Sequence, residues 1–384
     1  MYDFDEIIYR RNTNSAKWDE VKDDLLPMWV ADMDFKSPPE IIKALEERVC
    51  HGVFGYSGVY NGWYESLANW MSKRFGWEIK KDWITTSPGV VPALDMLVRA
   101  LTQPGDRVII QTPVYHPFFT VVRNNGRELV ENPLYFDGRK YRMDLDNLKQ
   151  QLDARTKLII LCSPHNPVGR VWSREELMAL GQLCLEHGII VIADEIHSDL
   201  VFPEYQHTVF ANISPEFEQN CVICNAPSKT FNIAGIQASS IIIPNKNIRA
   251  AYNNVLHTGE LGLPNVFAVA ALEAAYTWGE DWLEELLVYI RDNYRFAKDF
   301  IEQRIPEIKV TDSEGTYLVW LDCHGLAMSD EQLDVFIKEK AHLALSPGHI
   351  FGNSGRGFQR MNIACSRVLL EQGLQLLESA VRAR

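Results

Sequence analysis

Three short apolar runs constrain the fold more than any other feature of the chain. Residues 107–111, 157–162 and 189–193 contain Val108-Ile109-Ile110, Leu158-Ile159-Ile160-Leu161 and Ile189-Ile190-Val191-Ile192-Ala193, with no polar alternation inside them. A strand with one wet face alternates apolar and polar residues. A run without alternation belongs in a sheet covered on both faces, the usual setting of parallel strands. Between the second and third runs, residues 173–187 place Leu177, Leu180, Leu183 and Leu185 at helical spacing behind Ser173 and Glu176, a capping-box pattern. Strand, helix, strand is the unit of a doubly wound, mostly parallel α/β sheet.

Ser37-Pro38-Pro39-Glu40 also reads as a capping box, followed by Ile41, Ile42, Leu45 and Val49 at helical spacing and by Gly52 past the end. After about Gly279 the rhythm changes. Residues 281–304 predict one long helix, 316–320 and 357–363 predict strands, and 367–383 a last helix, together a smaller α+β domain. The expected organisation is an N-terminal segment, 1–45, joining the small domain, a large domain over 46–280 and a small C-terminal domain over 281–384. With 384 residues and 46% hydrophobic content, the chain can fill both cores.

The net charge of -13, with no long basic run, argues against nucleic-acid binding. No early stretch is apolar enough for a signal peptide or a membrane span. Seven scattered cysteines fit a reducing cytoplasm. Cys221 and Cys224 form a C-x-x-C, but Cys221-Val222-Ile223-Cys224 reads as a buried strand, and no second pair stands near to complete a zinc site.

In open α/β sheets, ligands sit beyond the carboxyl ends of the strands. Asn166 follows the run ending near Cys162, Asp194 follows Ala193, and Lys229 follows the strand near 221–225. All three are therefore expected on one edge of one sheet. Singly they are ordinary: an Asn-Pro turn, a carboxylate capping the next turn, a surface lysine. Together they suit an aldehyde cofactor on a pyridine ring, with Lys229 as imine former, Asp194 facing a ring nitrogen and Asn166 donating to a ring hydroxyl.

The motifs Trp29-Val30-Ala31-Asp32-Met33-Asp34-Phe35, His51-Gly52-Val53-Phe54-Gly55-Tyr56, Thr112-Pro113-Val114-Tyr115, Cys162-Ser163-Pro164-His165-Asn166-Pro167, Asp194-Glu195-Ile196-His197 and Ser228-Lys229-Thr230-Phe231-Asn232 carry a resemblance. The chain resembles the fold-type I pyridoxal-phosphate enzymes of the aminotransferase class I/II superfamily, and within them the cystathionine β-lyase and cysteine-S-conjugate β-lyase branch of MalY/PatB type. The resemblance covers nearly the whole chain. It implies that Lys229 binds pyridoxal 5'-phosphate as a Schiff base and moves the substrate's Cα proton, that Asp194 pairs with the pyridine nitrogen, and that Tyr115 stacks on the ring. Val90 and Val91 would hold the phosphate through their backbone at a helix N-terminus, with Ser228 adding a hydroxyl. Tyr56 would reach the phosphate from a neighbouring subunit, making the active unit a homodimer with shared sites. Arg360 would clamp the α-carboxylate of an amino-acid substrate, and the backbone of Val30 and Ala31 would close over it.

The chain departs from the superfamily at three positions. Gln237 stands where many members carry a phosphate-binding arginine, Ala226 where a second serine is frequent, and His197 where many aminotransferases have a tyrosine. The last change agrees with the lyase branch. The implied reaction is β-elimination from L-cystathionine or a related cysteine S-conjugate to a thiol, pyruvate and ammonia. An aminotransferase would share the cofactor residues and the first proton transfer, so branch resemblance carries the preference. A regulatory binding protein with little catalysis would be marked by loss of Lys229, Asp194 or Arg360, and all three are present.

Overall fold

In the computed structural model, which describes residues 2–384, the apolar runs lie in a seven-stranded sheet. Its strands are β1 (Ile84–Ser87), β2 (Arg107–Thr112), β3 (Glu128–Pro133), β4 (Thr156–Cys162), β5 (Ile190–Asp194), β6 (Cys221–Asn225) and β7 (Ser239–Ile242), in the order β1-β7-β6-β5-β4-β2-β3. All pairs are parallel except those of β7, which is antiparallel to both neighbours. Successive side chains point to opposite faces. Val108, Ile110, Leu158 and Ile160 enter one apolar cluster, and Ile109, Ile159 and Leu161 the other. All are fully buried. Each such burial contributes about 1.5–3 kcal/mol, which is why the runs cannot alternate. Cys221 and Cys224 are buried in β6, and all seven cysteines are free.

The helices that position the site are α1 (Pro39–His51), α2 (Asn61–Phe75), α3 (Val90–Leu101), α4 (Arg174–Glu186), α5 (Val266–Trp278), α6 (Glu280–Arg304) and α7 (Arg367–Arg382). The capping box of α4 forms as expected: Glu176 N–H donates to Ser173 Oγ at 3.2 Å and Ser173 N–H to Glu176 Oε2 at 2.9 Å. The box expected at Ser37 does not form. Pro38 occupies the cap position, which shifts Glu40 to the second helical residue, out of reach of the pattern. Ser37 Oγ donates to the Asn232 carbonyl instead, at 3.2 Å. Gly52 closes α1 at φ 76, a left-handed conformation that suits glycine.

A second, antiparallel sheet comprises β8 (Lys309–Val310), β9 (Leu318–Asp322), β10 (Ser346–Pro347) and β11 (Phe358–Asn362), ordered β8-β9-β11-β10. The strand expected at 316–320 begins two residues late because Thr316 is left-handed (φ 65) and its N–H donates to the Leu200 carbonyl at 2.6 Å. Helices α6 and α7 pack together beside this sheet. The N-terminal chain joins it: Leu26–Pro27 pair in parallel with Leu343–Ala344, and Asn362 N–H donates to the Met28 carbonyl at 2.8 Å. Among the described residues, no helix is long and apolar enough to cross a membrane, and no cluster of His, Cys, Asp and Glu could hold a metal ion.

Candidate active site

The carboxyl ends of β4, β5 and β6 deliver four residues to one place. Asn166 stands four residues past β4, Asp194 is the last residue of β5, and Ser228 and Lys229 lie in a short helical turn just past β6. All four line one cavity of about 190 Å³. Val90 and Val91, at the start of α3, line it too, as do Tyr115, His197 and Ala31. No side chain caps the first turn of α3. A helix start in that condition offers backbone N–H groups and a positive dipole end to an anion. A larger cleft of about 870 Å³ lies between residues 2–5 and α6, but its lining includes Asp3, Asp5 and Asp292 and no basic residue. The smaller cavity brings an amine, a carboxyl and an amide together.

Burial sets the charges here. Asp194 is buried, and its carboxyl is pushed up to about 7 by desolvation, against the pull of the Ile196 N–H (3.2 Å) and of the Lys229 charge. Lys229 is pushed down to about 8, again chiefly by burial, with Arg360 lowering it further and Asp32 and Asp194 opposing. Its Nζ donates to the Ala31 carbonyl at 2.7 Å. His197 is driven down to about 3 by burial and by the Lys229 and Arg360 charges, so its imidazole is neutral at physiological pH. The site thus offers an amine near its neutral form and a carboxyl that lacks a cation.

Arg360, in β11, is buried without an acid partner. Nη1 donates to Asn166 Oδ1 at 2.9 Å, and Nη2 to the Trp29 carbonyl at 2.8 Å and to Ser346 Oγ at 3.2 Å. Nε has no partner among the described residues. The guanidinium lies over the Phe351 ring at 4.9 Å, and desolvation lowers it to about 10. A buried cation held only by neutral acceptors is a receptor for a small anion. Arg360→Lys should raise KM for an amino-acid substrate about 10–150-fold, because charge-assisted hydrogen bonds are worth about 1.5–3 kcal/mol. Steady-state kinetics on the variant check this, with kcat expected to change less than KM.

Not every expected residue joins the cavity of a single chain. Tyr56 is fully exposed. Val30 is not in the cavity lining, and its carbonyl accepts from Asn362 Nδ2 at 2.6 Å; Arg360 is not in the lining either and meets the cavity through Asn166. Gln237 is exposed and Ala226 buried, and neither lines the cavity. Residues without an assigned role in the sequence reading turn out to hold the site together. Asn232, left-handed at φ 57, accepts from Met33 N–H at 2.9 Å and donates to the Met33 and Phe35 carbonyls. Asn362 holds the Val30 and Asp32 carbonyls, and the Tyr317 hydroxyl holds that of Ala31 at 3.0 Å. The available signal was position: Asn232 follows Lys229 by three residues, and Asn362 shares a strand face with Arg360.

A family model described as aminotransferase class I and II matches residues 23–377. Cystathionine beta-lyase PatB of Bacillus subtilis (strain 168) is 46% identical over 98% of this chain and 99% of its own. The crystal structure of cystalysin from Treponema denticola, which contains a pyridoxal 5'-phosphate cofactor, superposes with a TM-score of 0.97 at 39% identity, covering 100% of this chain and 99% of that one. The pyridoxal-phosphate-bound C-S lyase from Staphylococcus hominis gives a TM-score of 0.92 at 34% identity, covering 99% of both chains.

Proposed function

Because the chain belongs to the aminotransferase class I and II family, we propose that it is a pyridoxal-phosphate-dependent carbon–sulfur β-lyase. It would cleave L-cystathionine or related cysteine S-conjugates to a thiol, pyruvate and ammonia. The carrying observation is that Lys229, Asp194 and Asn166 line one cavity beside the unpaired guanidinium of Arg360. The donor set fits the cofactor: a buried carboxyl short of a cation for the pyridine nitrogen, an uncapped helix start for the phosphate, and an amine close to neutrality for the aldehyde. Bound there, pyridoxal phosphate supplies the aldehyde and a ring that withdraws electrons from the substrate's Cα.

The chain's residues do the rest. Arg360 binds the α-carboxylate and so orients the Cα–H bond. Its bond to Asn166 Oδ1 turns the amide so that Nδ2 is left to donate to the ring oxygen. Asp194 keeps the ring nitrogen protonated. Lys229 Nζ takes the Cα proton and returns a proton to the departing sulfur. Ser228 and the backbone of Val90 and Val91 would hold the phosphate, Tyr115 would pack against the ring, and the neutral His197 and Ala31 would line the rest of the cavity. On this reading residues 46–280 form the cofactor-binding domain, and 281–384 with 1–45 form the smaller one that carries Arg360.

The names of the relatives favour lyase over transaminase. The test is to add L-cystathionine without any 2-oxo acid. Stoichiometric pyruvate and thiol support the lyase. Turnover only when a 2-oxo acid is supplied would replace it with an aminotransferase.

The exposed Tyr56 supports a homodimer in which each chain completes its neighbour's phosphate site. Tyr56→Phe should raise the cofactor dissociation constant about tenfold, the scale of one hydrogen bond to a charged group, without changing the oligomeric state. Titration with pyridoxal phosphate alongside sedimentation checks both. Seven free cysteines support a cytoplasmic setting.

A further inference from the structure

The turn that carries Lys229 is braced from behind by groups the reaction does not touch. Asp199 is buried in the segment that follows β5, five residues past Asp194. Its Oδ2 accepts from the Thr230 hydroxyl at 2.9 Å. Its Oδ1 accepts from Trp70 Nε1 and from Arg74 Nε, both at 3.0 Å and both from α2. The Arg74 guanidinium also lies over the Trp70 ring at 5.5 Å. A second link runs alongside. Asn225 Nδ2 donates to Ser198 Oγ at 3.1 Å, and Asn225 Oδ1 accepts from the Tyr276 hydroxyl of α5 at 2.7 Å. Thr230, Ser198, Asn225 and Tyr276 are all buried.

These links do what the sheet does not. The register of β5 with β6 ends at Asp194 opposite Cys224, and Lys229 lies five residues further on. Beyond that point no ladder fixes the distance between the Asp194 carboxyl and the Lys229 amine, the groups meant for opposite ends of one flat ligand. We infer that Asp199 is a positioning residue that sets this separation by holding the Thr230 hydroxyl, next in sequence to Lys229. The inference rests on the proposed role of Lys229 as the reactive amine. The charged groups that act on Lys229 are Asp32, Asp194 and Arg360, with neutral His197 nearby. Asp199 is not among them, and its own charge is met by Arg74. The brace therefore acts through placement.

Thr230→Val removes the hydroxyl and keeps the shape, and Thr230→Ser keeps the hydroxyl. Two readouts are made on each full-length protein: borohydride trapping of pyridoxal phosphate on Lys229, and the pH profile for labelling Lys229 by an amine-reactive reagent after the cofactor is removed. Thr230→Val should slow trapping and lower kcat about 10–100-fold, the range for a displacement near 1 Å, with KM for L-cystathionine within about twofold on the same reasoning. Its labelling midpoint should move up from about 8 toward 10.5 as the amine leaves its buried seat. Thr230→Ser should behave as wild type. Asp199→Ala, which removes the acceptor of the Thr230 hydroxyl, should follow Thr230→Val and decides the matter if that variant does not fold. Wild-type trapping and labelling in both Thr230→Val and Asp199→Ala would overturn the inference. So would a Thr230→Ser protein as impaired as Thr230→Val, since the hydroxyl would then not be the link. A wild-type chain that traps no pyridoxal phosphate would instead sink the proposed function, while the labelling profiles would still judge the brace.

Discussion

Lys229→Ala protein is expected to lose at least about 10³-fold in turnover, within the range for removing a positioned acid–base group and more where that group also binds covalently. Two roles vanish with one amine: the covalent anchor, and the proton carrier between Cα and sulfur. The fold should survive. Lys229 Nζ makes one hydrogen bond, to the Ala31 carbonyl, and the Tyr317 hydroxyl holds that same oxygen at 3.0 Å. Pyruvate release from L-cystathionine, read beside circular dichroism and thermal unfolding, separates the two effects. A variant that folds and turns over within tenfold of the native enzyme would remove Lys229 from the reaction.

Asp194→Asn keeps the shape and removes the charge. It should weaken cofactor binding about 10–150-fold, the equivalent of a charge-assisted hydrogen bond of about 1.5–3 kcal/mol, and slow exchange of the substrate's Cα proton. The cofactor-free protein offers a second reading. Burial raises this carboxyl from 3.8 to about 7, so the folded chain binds an extra proton between those values. The group's contribution to stability is full below about pH 4 and is lost as pH rises through 7. Asparagine cannot titrate, so the variant's Tm should depend less on pH across that window. Unchanged cofactor affinity together with an unchanged Tm profile would refute the role.

The sheet was legible because its strands are buried on both faces and so cannot alternate; residues such as Ile109 and Ile160 had to be apolar whichever way they pointed. Asn166, Asp194 and Lys229 were legible because strand ends in such a sheet converge. What holds the site closed was not. Arg360 meets the Trp29 carbonyl across 331 residues and Asn166 across 194. Asn232 and Asn362 grip backbone atoms, which every sequence has and none displays. The missing box at Ser37 has a local cause: a second proline moved the helix start by one residue, and a capping pattern tolerates no such shift. Asp199 lay in plain view, but its meaning depends on Thr230 and Trp70 folding onto it.

The lone guanidinium of Arg360 has a practical side. A buried cation satisfied by amide, hydroxyl and carbonyl oxygens, with Nε left over, cannot tell the carboxylate of an amino acid from that of a buffer. Acetate or formate in the reaction mixture should compete with substrate, and a Michaelis constant measured in acetate will be an apparent one, raised in proportion to the acetate present. The enzyme's apparent affinity will depend on the bottle from which its buffer was made.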